Sequence, residues 1–189
     1  RDVLGSRGLG DVYKRQVITF FCFSYLFIIT PVSGDSMIPN ISNGEHVFVS
    51  YNKEIQRGSV VILEVNQNDN FHIDETSHYI KRIIGLPGDK VKWINNKLYI
   101  NDEEYNESYF PKDYFGTAAT NNFDGLFRYI DENGNEQMTE IIPEGYYFVM
   151  GDNRPISKDS RSIGLIPKRN IIGAVSYTHL RAHETLRHL

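Results

Sequence analysis

Hydrophobic and polar positions follow two different patterns along this chain, and the change falls near residue 32. Residues 17–32 are almost wholly apolar, with interruptions at Ser24, Thr30 and Pro31. After Glu45 the apolar residues occur in short runs, some of them alternating, and residues typical of turns separate the runs. Alternation over four to eight residues between turn signals is typical of β-strands. The pattern therefore predicts an apolar N-terminal segment followed by a β-domain.

The predicted strands lie between residues 45 and 175. Their sequences are EHVFVS, GSVVILEV, HYIKRIIG, KVKWI, KLYI, LFRYI, EQMTEI, YYFVMG and NIIGAV. Asn95-Asn96 and Asn133-Gly134 each separate two of these runs and predict hairpins, because Asn and Gly tolerate the left-handed backbone of tight turns. No long amphipathic helix is predicted after residue 32. The fold class is mostly β, with coiled, largely antiparallel sheets.

The apolar run at 17–31 allows three interpretations: a signal-peptide core, a buried helix, or the outer part of a membrane anchor helix. The run is shorter than the roughly 20 residues that span a bilayer. It carries no charge, ends at Pro31 and is followed by no evident small-residue cleavage site, which disfavours a signal peptide. We therefore predict a truncated transmembrane anchor over 17–31, in which Cys22 is a small apolar side chain.

The residue patterns at both ends of the chain differ from the pattern in its middle. Residues 1–16 and 176–189 continue no strand pattern, and the second stretch contains three of the six histidines. They resemble translated adapter sequence, so we treat them as non-native tails and expect the natural chain to extend further. The β-domain is predicted over 32–175. An insertion around 101–140 begins with the polar, tyrosine-rich stretch 101–122.

Composition narrows the possible partners and cofactors. The net charge is −4, and no block of Lys and Arg is present, so nucleic acid is not an expected partner. A single cysteine permits neither an internal disulfide nor a zinc-binding spacing. We expect no metal and no cofactor.

The first candidate for chemistry is Ser36, in the stretch SGDSMIPN directly after the apolar run. A serine hydroxyl is a poor nucleophile unless a base takes its proton. Outside the tail the histidines are His46, His72 and His78, and none lies in a distinctive turn. A Ser-His-Asp triad stays open on these observations, although nothing in the pattern favours it.

The second candidate is Lys81, in HYIKRIIG. Strand alternation places Tyr79, Lys81 and Ile83 on one face, so the lysine has apolar neighbours. Burial among such groups lowers the pKa of an amine, and a neutral amine can act as a general base. The alternative is an edge-strand lysine with its ammonium in water, which is the commoner situation.

The third candidate is the loop GDNRPISKDSR, which follows the apolar strand YYFVM. A solvated loop is the simple interpretation. However, Asp159 and Arg161 have the separation needed to pair along an extended segment, and Asp152 could pair with Arg82. Such ion pairs would hold the loop rigid, as a catalytic site requires.

Taken together, the motifs resemble those of type I signal peptidases, the membrane-bound serine–lysine proteases. The resemblance covers about residues 17–175 and rests on SGDSMIPN, RGSVVIL, YIKRIIGLPGD and GDNRPISKDSR, which stand in the order of that family. It implies that Ser36 is the nucleophile and Lys81 the general base. It further implies that Ser157 orients the lysine and that Met37 lines the site.

The same resemblance implies supporting roles for the pairs Asp159–Arg161 and Arg82–Asp152. Some members of the family have a serine two residues before the nucleophile, whose hydroxyl assists the oxyanion hole; this chain has Gly34 there. The expected oxyanion donors then include the Ser36 backbone N–H. The chain departs from the family pattern at two further positions: Asn40 stands where a threonine is usual, and Ser59 where an aspartate is common.

The function implied by the resemblance is the removal of signal peptides from secreted preproteins. The expected enzyme is a monomer with one membrane span and a catalytic domain outside the cytoplasmic membrane, and its partners are secretory preproteins and the lipid bilayer. Two rivals remain. One is a self-cleaving serine–lysine repressor relative, which the apolar run and the lack of a basic helical region disfavour. The other is a membrane-tethered β-module that binds peptides without chemistry.

Overall fold

The structure is a computed structural model that describes residues 12–17, 27–66, 76–111, 114 and 122–177 of the 189-residue chain. The described strands are β1 (Phe27–Pro31), β2 (His46–Ser50), β3 (Val60–Val65), β4 (Ser77–Gly85), β5 (Val91–Ile94), β6 (Lys97–Ile100), β7 (Glu103–Glu104), β8 (Phe127–Ile130), β9 (Glu136–Thr139), β10 (Tyr146–Met150), β11 (Ile166–Pro167) and β12 (Ile171–Tyr177). Residues 12–17 form a short helix, α1. A second short helix, α2, spans Ser160–Ile163, and a 3₁₀ turn spans Lys168–Asn170.

The strands form one large and two small antiparallel sheets. The large sheet has seven strands in the order β1-β2-β12-β3-β4-β10-β11. Strands β5, β6 and β7 form a three-stranded sheet, and β8 and β9 form a hairpin. All the described pairings are antiparallel, which confirms the predicted mostly β, antiparallel fold class.

Every strand predicted from the sequence is present, with small differences at its ends. Asn95 and Asn96 have φ values of 51° and 63° and join β5 to β6 as the predicted two-residue hairpin. Strands β8 and β9 pair around the second predicted turn, where Gly134 has a φ of 80°. The short strands β7 and β11 were not predicted, because two residues are too few to show a period.

The segment predicted as the end of an anchor helix is instead an edge strand. Residues Phe27–Pro31 pair with β2 over five positions, from Phe27 opposite Ser50 to Pro31 opposite His46. The sequence of β1 is FIITP, and β-branched residues favour strands. A proline at the end of an edge strand removes no inner hydrogen bond of the sheet. Residues 18–26, the middle of the predicted anchor, lie outside the described part of the chain.

Within the described ranges, no helix combines the length and the apolar composition that crossing a bilayer requires. The anchor helix expected from the sequence is therefore not observed there.

Three apolar clusters hold the sheets together. The first lies between the large sheet and the two small ones and contains Trp93, Phe127 and Phe148. The second covers β3, β4, β10 and α2. The third packs Met37 and Ile41 against Val47 and Val60, so it fixes the segment around Ser36 to strands β2 and β3.

Candidate active site

Ser36 lies in a tight turn whose next residue is anchored in the core. Met37 is fully buried, and its carbonyl accepts hydrogen bonds from the backbone N–H groups of Asn40 and Ile41 at 3.0 Å each. Gly34 precedes the turn with a φ of 91°, which is in the left-handed region that glycine adopts without strain. Ser36 itself is half-buried. The turn therefore has a rigid base and presents its serine to solvent.

Lys81 reaches this serine from strand β4. Its Nζ lies 2.9 Å from Ser36 Oγ and also donates to the Ile80 carbonyl at 2.8 Å. The lysine is only 2% exposed, and its amine lies 5.4 Å from the centre of the Tyr79 ring. The structure thus places Lys81 on the apolar face predicted from strand alternation, and not as a solvated edge lysine.

Burial changes the acidity of this amine. Removal from water lowers the pKa of Lys81 from 10.5 to about 8, because desolvation disfavours the charged form. The negative charges of Asp159 and Asp152 act in the opposite direction and are the smaller effects. A fraction of the amine is therefore neutral near pH 7 to 8 and can accept a proton.

The loop after β10 holds the serine turn in place through its backbone. The Asn153 N–H donates to the Ser36 carbonyl at 3.0 Å, and the Asn153 side chain donates to the Asp35 carbonyl at 3.1 Å. Gly151 permits this approach: a Cβ there would lie 2.6 Å from the Ser36 carbonyl oxygen and 2.2 Å from Ser157 Oγ. The sequence analysis counted Asn153 in the polar loop but assigned it no contact.

The expected pair of Arg82 and Asp152 is present and joins strand β4 to the loop that holds the serine turn. Arg82 Nε and Nη2 donate to the two carboxylate oxygens of Asp152 at 2.8 and 2.6 Å, and the carboxylate is fully buried. Asn40 Nδ2 donates to the same carboxylate at 2.8 Å. Asn40 therefore links the serine turn to the pair, although the sequence analysis noted it only as a departure from the family pattern.

The pair of Asp159 and Arg161 is also present. Arg161 Nε and Nη2 each lie 2.9 Å from an oxygen of Asp159, which is fully buried. The Asp159 carboxylate caps helix α2 and accepts from the Gly151 N–H at 3.0 Å. This pair therefore fixes the start of the loop that holds Ser36.

Ser157 lies beside these groups but does not contact Lys81 through a hydrogen bond. Its Oγ is buried and finds no hydrogen-bond partner among the described residues. The two hydrogen bonds of the Lys81 amine go to Ser36 and to Ile80 instead. The orienting role predicted for Ser157 stays a prediction.

The backbone N–H of Ser36 is the oxyanion donor expected from the sequence. Within the described segments no hydrogen bond from it to a protein acceptor is found. Gly34 supplies no side chain, and its own N–H donates to Asn43 Oδ1 at 3.1 Å. The oxyanion role of Ser36 stays a prediction.

Two of the three histidines considered as alternative bases can be placed. His46 is exposed on β2, and His78 is exposed and lies 3.4 Å from Glu64. Neither forms a hydrogen bond with Ser36, whose hydroxyl contacts Lys81 instead. His72 lies outside the described residues.

A groove with mainly apolar walls is lined by residues that directly precede the serine turn and Lys81 in the chain. It encloses about 410 Å³. One wall is formed by the end of β1 and by Val32 and Ser33, directly before the serine turn, and the other by residues 78–80, directly before Lys81. Three strands separate β1 from β4 in the large sheet, and Val49, Ile172 and Ile62 of these strands also line the groove.

These features define a class of protein: an antiparallel β-fold in which a reachable serine hydroxyl contacts a buried amine. Comparison with known proteins agrees. The sequence profile of the family described as signal peptidase, peptidase S26, matches residues 12–180. The chain is 38% identical over 160 residues to signal peptidase IB of Staphylococcus aureus, covering 80% of this chain and 78% of the relative. It is 39% identical over 166 residues to signal peptidase I S of Bacillus subtilis, covering 85% and 81%.

The chain belongs to the signal peptidase family, peptidase S26, and is a serine peptidase. Among solved structures, a signal peptidase I from Enterococcus faecalis is 27% identical and covers 65% of this chain and 97% of its own, with a TM-score of 0.42. The family assignment rests on the sequence matches and not on this partial structural similarity.

Proposed function

We propose that this protein is a membrane-bound signal peptidase I that cleaves secreted preproteins with a Ser36–Lys81 dyad. The observation that carries this proposal is the 2.9 Å contact between Lys81 Nζ and Ser36 Oγ, made by an amine that is 2% exposed. A nucleophile within hydrogen-bond reach of a base of lowered pKa is the arrangement that nucleophilic catalysis needs. The family membership described above supports the same function.

Cleavage would proceed through an ester intermediate. Neutral Lys81 takes the proton of Ser36 as Oγ attacks the scissile carbonyl carbon. The resulting ammonium then gives that proton to the nitrogen of the leaving amine, which departs as the mature protein. Water, deprotonated by the again neutral Lys81, attacks the ester and releases the signal peptide, and the proton returns to Ser36.

The surrounding groups have supporting roles in this proposal. The Ser36 backbone N–H stabilises the oxyanion of each tetrahedral intermediate. Met37 anchors the turn, and the two Arg–Asp pairs keep the turn and strand β4 at a fixed separation. Ser157, whose hydroxyl is buried close to the turn, orients the Lys81 amine when substrate is bound.

The groove between β1 and β4 is the proposed site for the substrate segment before the cut. Its two walls include Val32, Ser33 and residues 78–80, which directly precede the serine turn and Lys81 in the chain, so a substrate lying in it would bring a carbonyl towards the serine. Backbone groups at the rim would pair with the substrate as an added strand. Walls formed by Val32, Ile62 and Ile80 favour small, apolar side chains.

Attachment to a membrane is part of the proposal and rests on two observations. Residues 17–32 are almost wholly apolar, and strand β1, at the end of this run, leaves Ile28 and Ile29 about half exposed, at 44% and 50%. A signal peptide carries its own apolar segment, and its cleavage site lies at the membrane surface. A serine placed directly after an apolar segment would meet that site.

The test compares wild type with Ser36→Ala on a preprotein that has alanine before the cut. Wild type should cleave the preprotein and Ser36→Ala should not, while both keep the same urea midpoint. If the protein is a module that only binds peptides, neither wild type nor Ser36→Ala would cleave the preprotein. A self-cleaving relative would cut its own chain, which mass spectrometry of the purified protein detects.

Specificity provides a second test of the groove. A preprotein with alanine before the cut should be cleaved, and matched preproteins with phenylalanine or aspartate there should be cleaved at least about tenfold more slowly, because a packed pocket discriminates by about 1–3 kcal/mol for small changes in size. Equal rates for the three substrates would contradict this placement of the substrate.

A further inference from the structure

Arg154 is a buried cation in the loop that holds Ser36. It is 3% exposed. Its Nε donates to the Gly151 carbonyl at 3.0 Å, and its own carbonyl accepts from Arg161 Nη2 at 2.7 Å. The side chain therefore spans the loop from within and fixes its two ends relative to each other.

The carboxylate that neutralises this cation comes from the insertion. Glu107 Oε2 accepts from Arg154 Nη1 at 3.1 Å, and Glu107 Oε1 contacts Arg154 Nη2. Tyr109, two residues further on, accepts from Arg154 through its hydroxyl at 3.2 Å and also contacts Glu107. Its ring lies 4.1 Å from the Arg82 guanidinium.

Aromatic rings close the rest of the space around the guanidinium. The Trp93 ring centre lies 4.7 Å from it and the Phe110 ring centre 5.1 Å. These rings exclude water, so the charge of Arg154 has little solvent to replace a lost partner. Removing one member of a buried ion pair leaves an uncompensated charge, which the structure relieves by moving the charge towards water.

Such a movement would disturb the alignment of Ser36 and Lys81 in two steps. Arg154 would withdraw from the Gly151 carbonyl, and the loop would loosen beside Asn153. The Asn153 N–H holds the Ser36 carbonyl, and Asp152 in the same loop holds Arg82. Both contacts set the separation between the serine turn and strand β4.

We infer that Glu107 is a positioning residue for the cleavage reaction, which it serves by holding Arg154 inside the loop that grips Ser36. The inference rests on the proposed function and extends it to the insertion. The insertion thereby contributes to catalysis although none of its residues touches the Ser36 hydroxyl among the described contacts.

The test is a double-mutant cycle in turnover. Glu107→Ala should lower kcat by at least about tenfold and change KM by less than about threefold, because the loss is one of alignment and not of substrate binding. Arg154→Leu should have a similar effect. The double variant should be no slower than the slower single variant, since both changes break one contact.

Matched controls separate this role from a general loss of stability. Glu104 lies in the same insertion, and its exposed ion pair with Lys97, at 2.7 Å, is of the kind that contributes little. Glu104→Ala should leave kcat unchanged. Glu107→Gln keeps one acceptor for Arg154, so it should fold and should retain more turnover than Glu107→Ala. All assays are run at a temperature where circular dichroism shows each variant to be folded.

A second measurement does not depend on peptidase activity. Amide hydrogen exchange at Gly151 and Asn153 should be faster in Glu107→Ala than in wild type, and unchanged in Glu104→Ala. Unchanged exchange in Glu107→Ala would overturn the positioning role even if wild type cleaved nothing. The positioning role would also be overturned if the losses in kcat of the two single variants multiplied in the double variant. It would be overturned as well if Glu107→Ala lowered the urea midpoint and left kcat unchanged. A wild type without activity but with the expected exchange would reject the proposed function alone.

Discussion

At the scale of single residues, Lys81 combines a cost in stability with the proposed role of general base. Its amine is buried and its pKa is lowered from 10.5 to about 8. That difference corresponds to about 3 kcal/mol of unfavourable free energy when the charged form is buried. The hydrogen bonds to Ser36 and Ile80 offset part of this cost.

The first prediction concerns the replacement of this lysine. Methionine has a length similar to that of lysine and no charge to desolvate. Lys81→Met should therefore be as stable as wild type at pH 7 or more stable, with a gain of up to about 3 kcal/mol. It should also lose cleavage, because Ser36 then has no base. Urea midpoints and hydrolysis of one signal-peptide substrate measure both effects. An inactive variant that is clearly less stable would instead indicate a structural, ion-paired lysine.

The second prediction gives the pH dependence of that difference. Below pH 8 the lysine is charged in both the folded and the unfolded state, so its full cost is present. Between about pH 8 and 10.5 the unfolded state binds more protons than the folded state, and wild-type stability rises relative to Lys81→Met. Urea unfolding of both proteins from pH 7 to 10 should show the gap shrinking. A gap that stays constant would argue against a lowered pKa of Lys81.

The third prediction concerns Ser157. Its buried hydroxyl has no partner in the described chain, so Ser157→Ala should cost little stability. If this hydroxyl orients Lys81 during the reaction, turnover should fall by at least about tenfold. The comparison is kcat at equal concentrations of folded protein. Wild-type turnover in Ser157→Ala would remove the residue from the site.

At the scale of elements, the loop after β10 is held closely against the serine turn. Gly151 makes this contact possible, because a side chain there would meet the Ser36 carbonyl and the Ser157 side chain well inside normal contact distance. Helix α2 and its cap Asp159 fix the other end of the loop. These contacts therefore fix the loop against the serine turn.

The fourth prediction tests this contact. Gly151→Ala should lower stability by about 1–3 kcal/mol through overpacking, and it should lower cleavage by at least about tenfold because the turn must shift. Gly134→Ala is a matched control at the tip of the β8–β9 hairpin, where a Cβ meets open space but φ is 80°. It should lower stability by about 1–2 kcal/mol through backbone strain alone and leave cleavage unchanged. Equal activity of the two variants would contradict the proposed coupling.

At the scale of the whole molecule, the proposed function places the β-domain beside a membrane. Strand β1 lies at the C-terminal end of the apolar run and forms one edge of the large sheet. It lines the groove together with Val32 and Ser33, which directly precede the serine turn. The end of the apolar run and the serine turn are therefore adjacent in the chain.

The fifth prediction follows from that placement. A full-length protein with its natural N-terminus, expressed in bacteria, should expose the β-domain outside the cytoplasmic membrane. Protease added to intact spheroplasts should digest this domain while a cytoplasmic marker protein stays intact. Full protection of the domain would count against the proposed location.

The sequence by itself determined most of the strands and indicated the candidate reacting groups. Alternation and turn residues depend only on neighbours along the chain, so β2 to β6, β8 to β10 and β12 could be predicted. The same local pattern placed Lys81 on the face of Tyr79. The family motifs then indicated Ser36 and Lys81 and both Arg–Asp pairs.

Tertiary structure decided which of these groups meet and how deeply they are buried. Ser36 and Lys81 are 45 positions apart, and Arg82 and Asp152 are 70 apart, so their contacts depend on the order and register of the strands in the large sheet. Strand β1 pairs with the edge of the large sheet at β2, and the apolar composition of residues 27–31 did not reveal this pairing. Glu107 lies in a stretch without periodicity, and only the burial of Arg154 gives it a partner, because a buried charge must be neutralised by whatever carboxylate the fold brings to it.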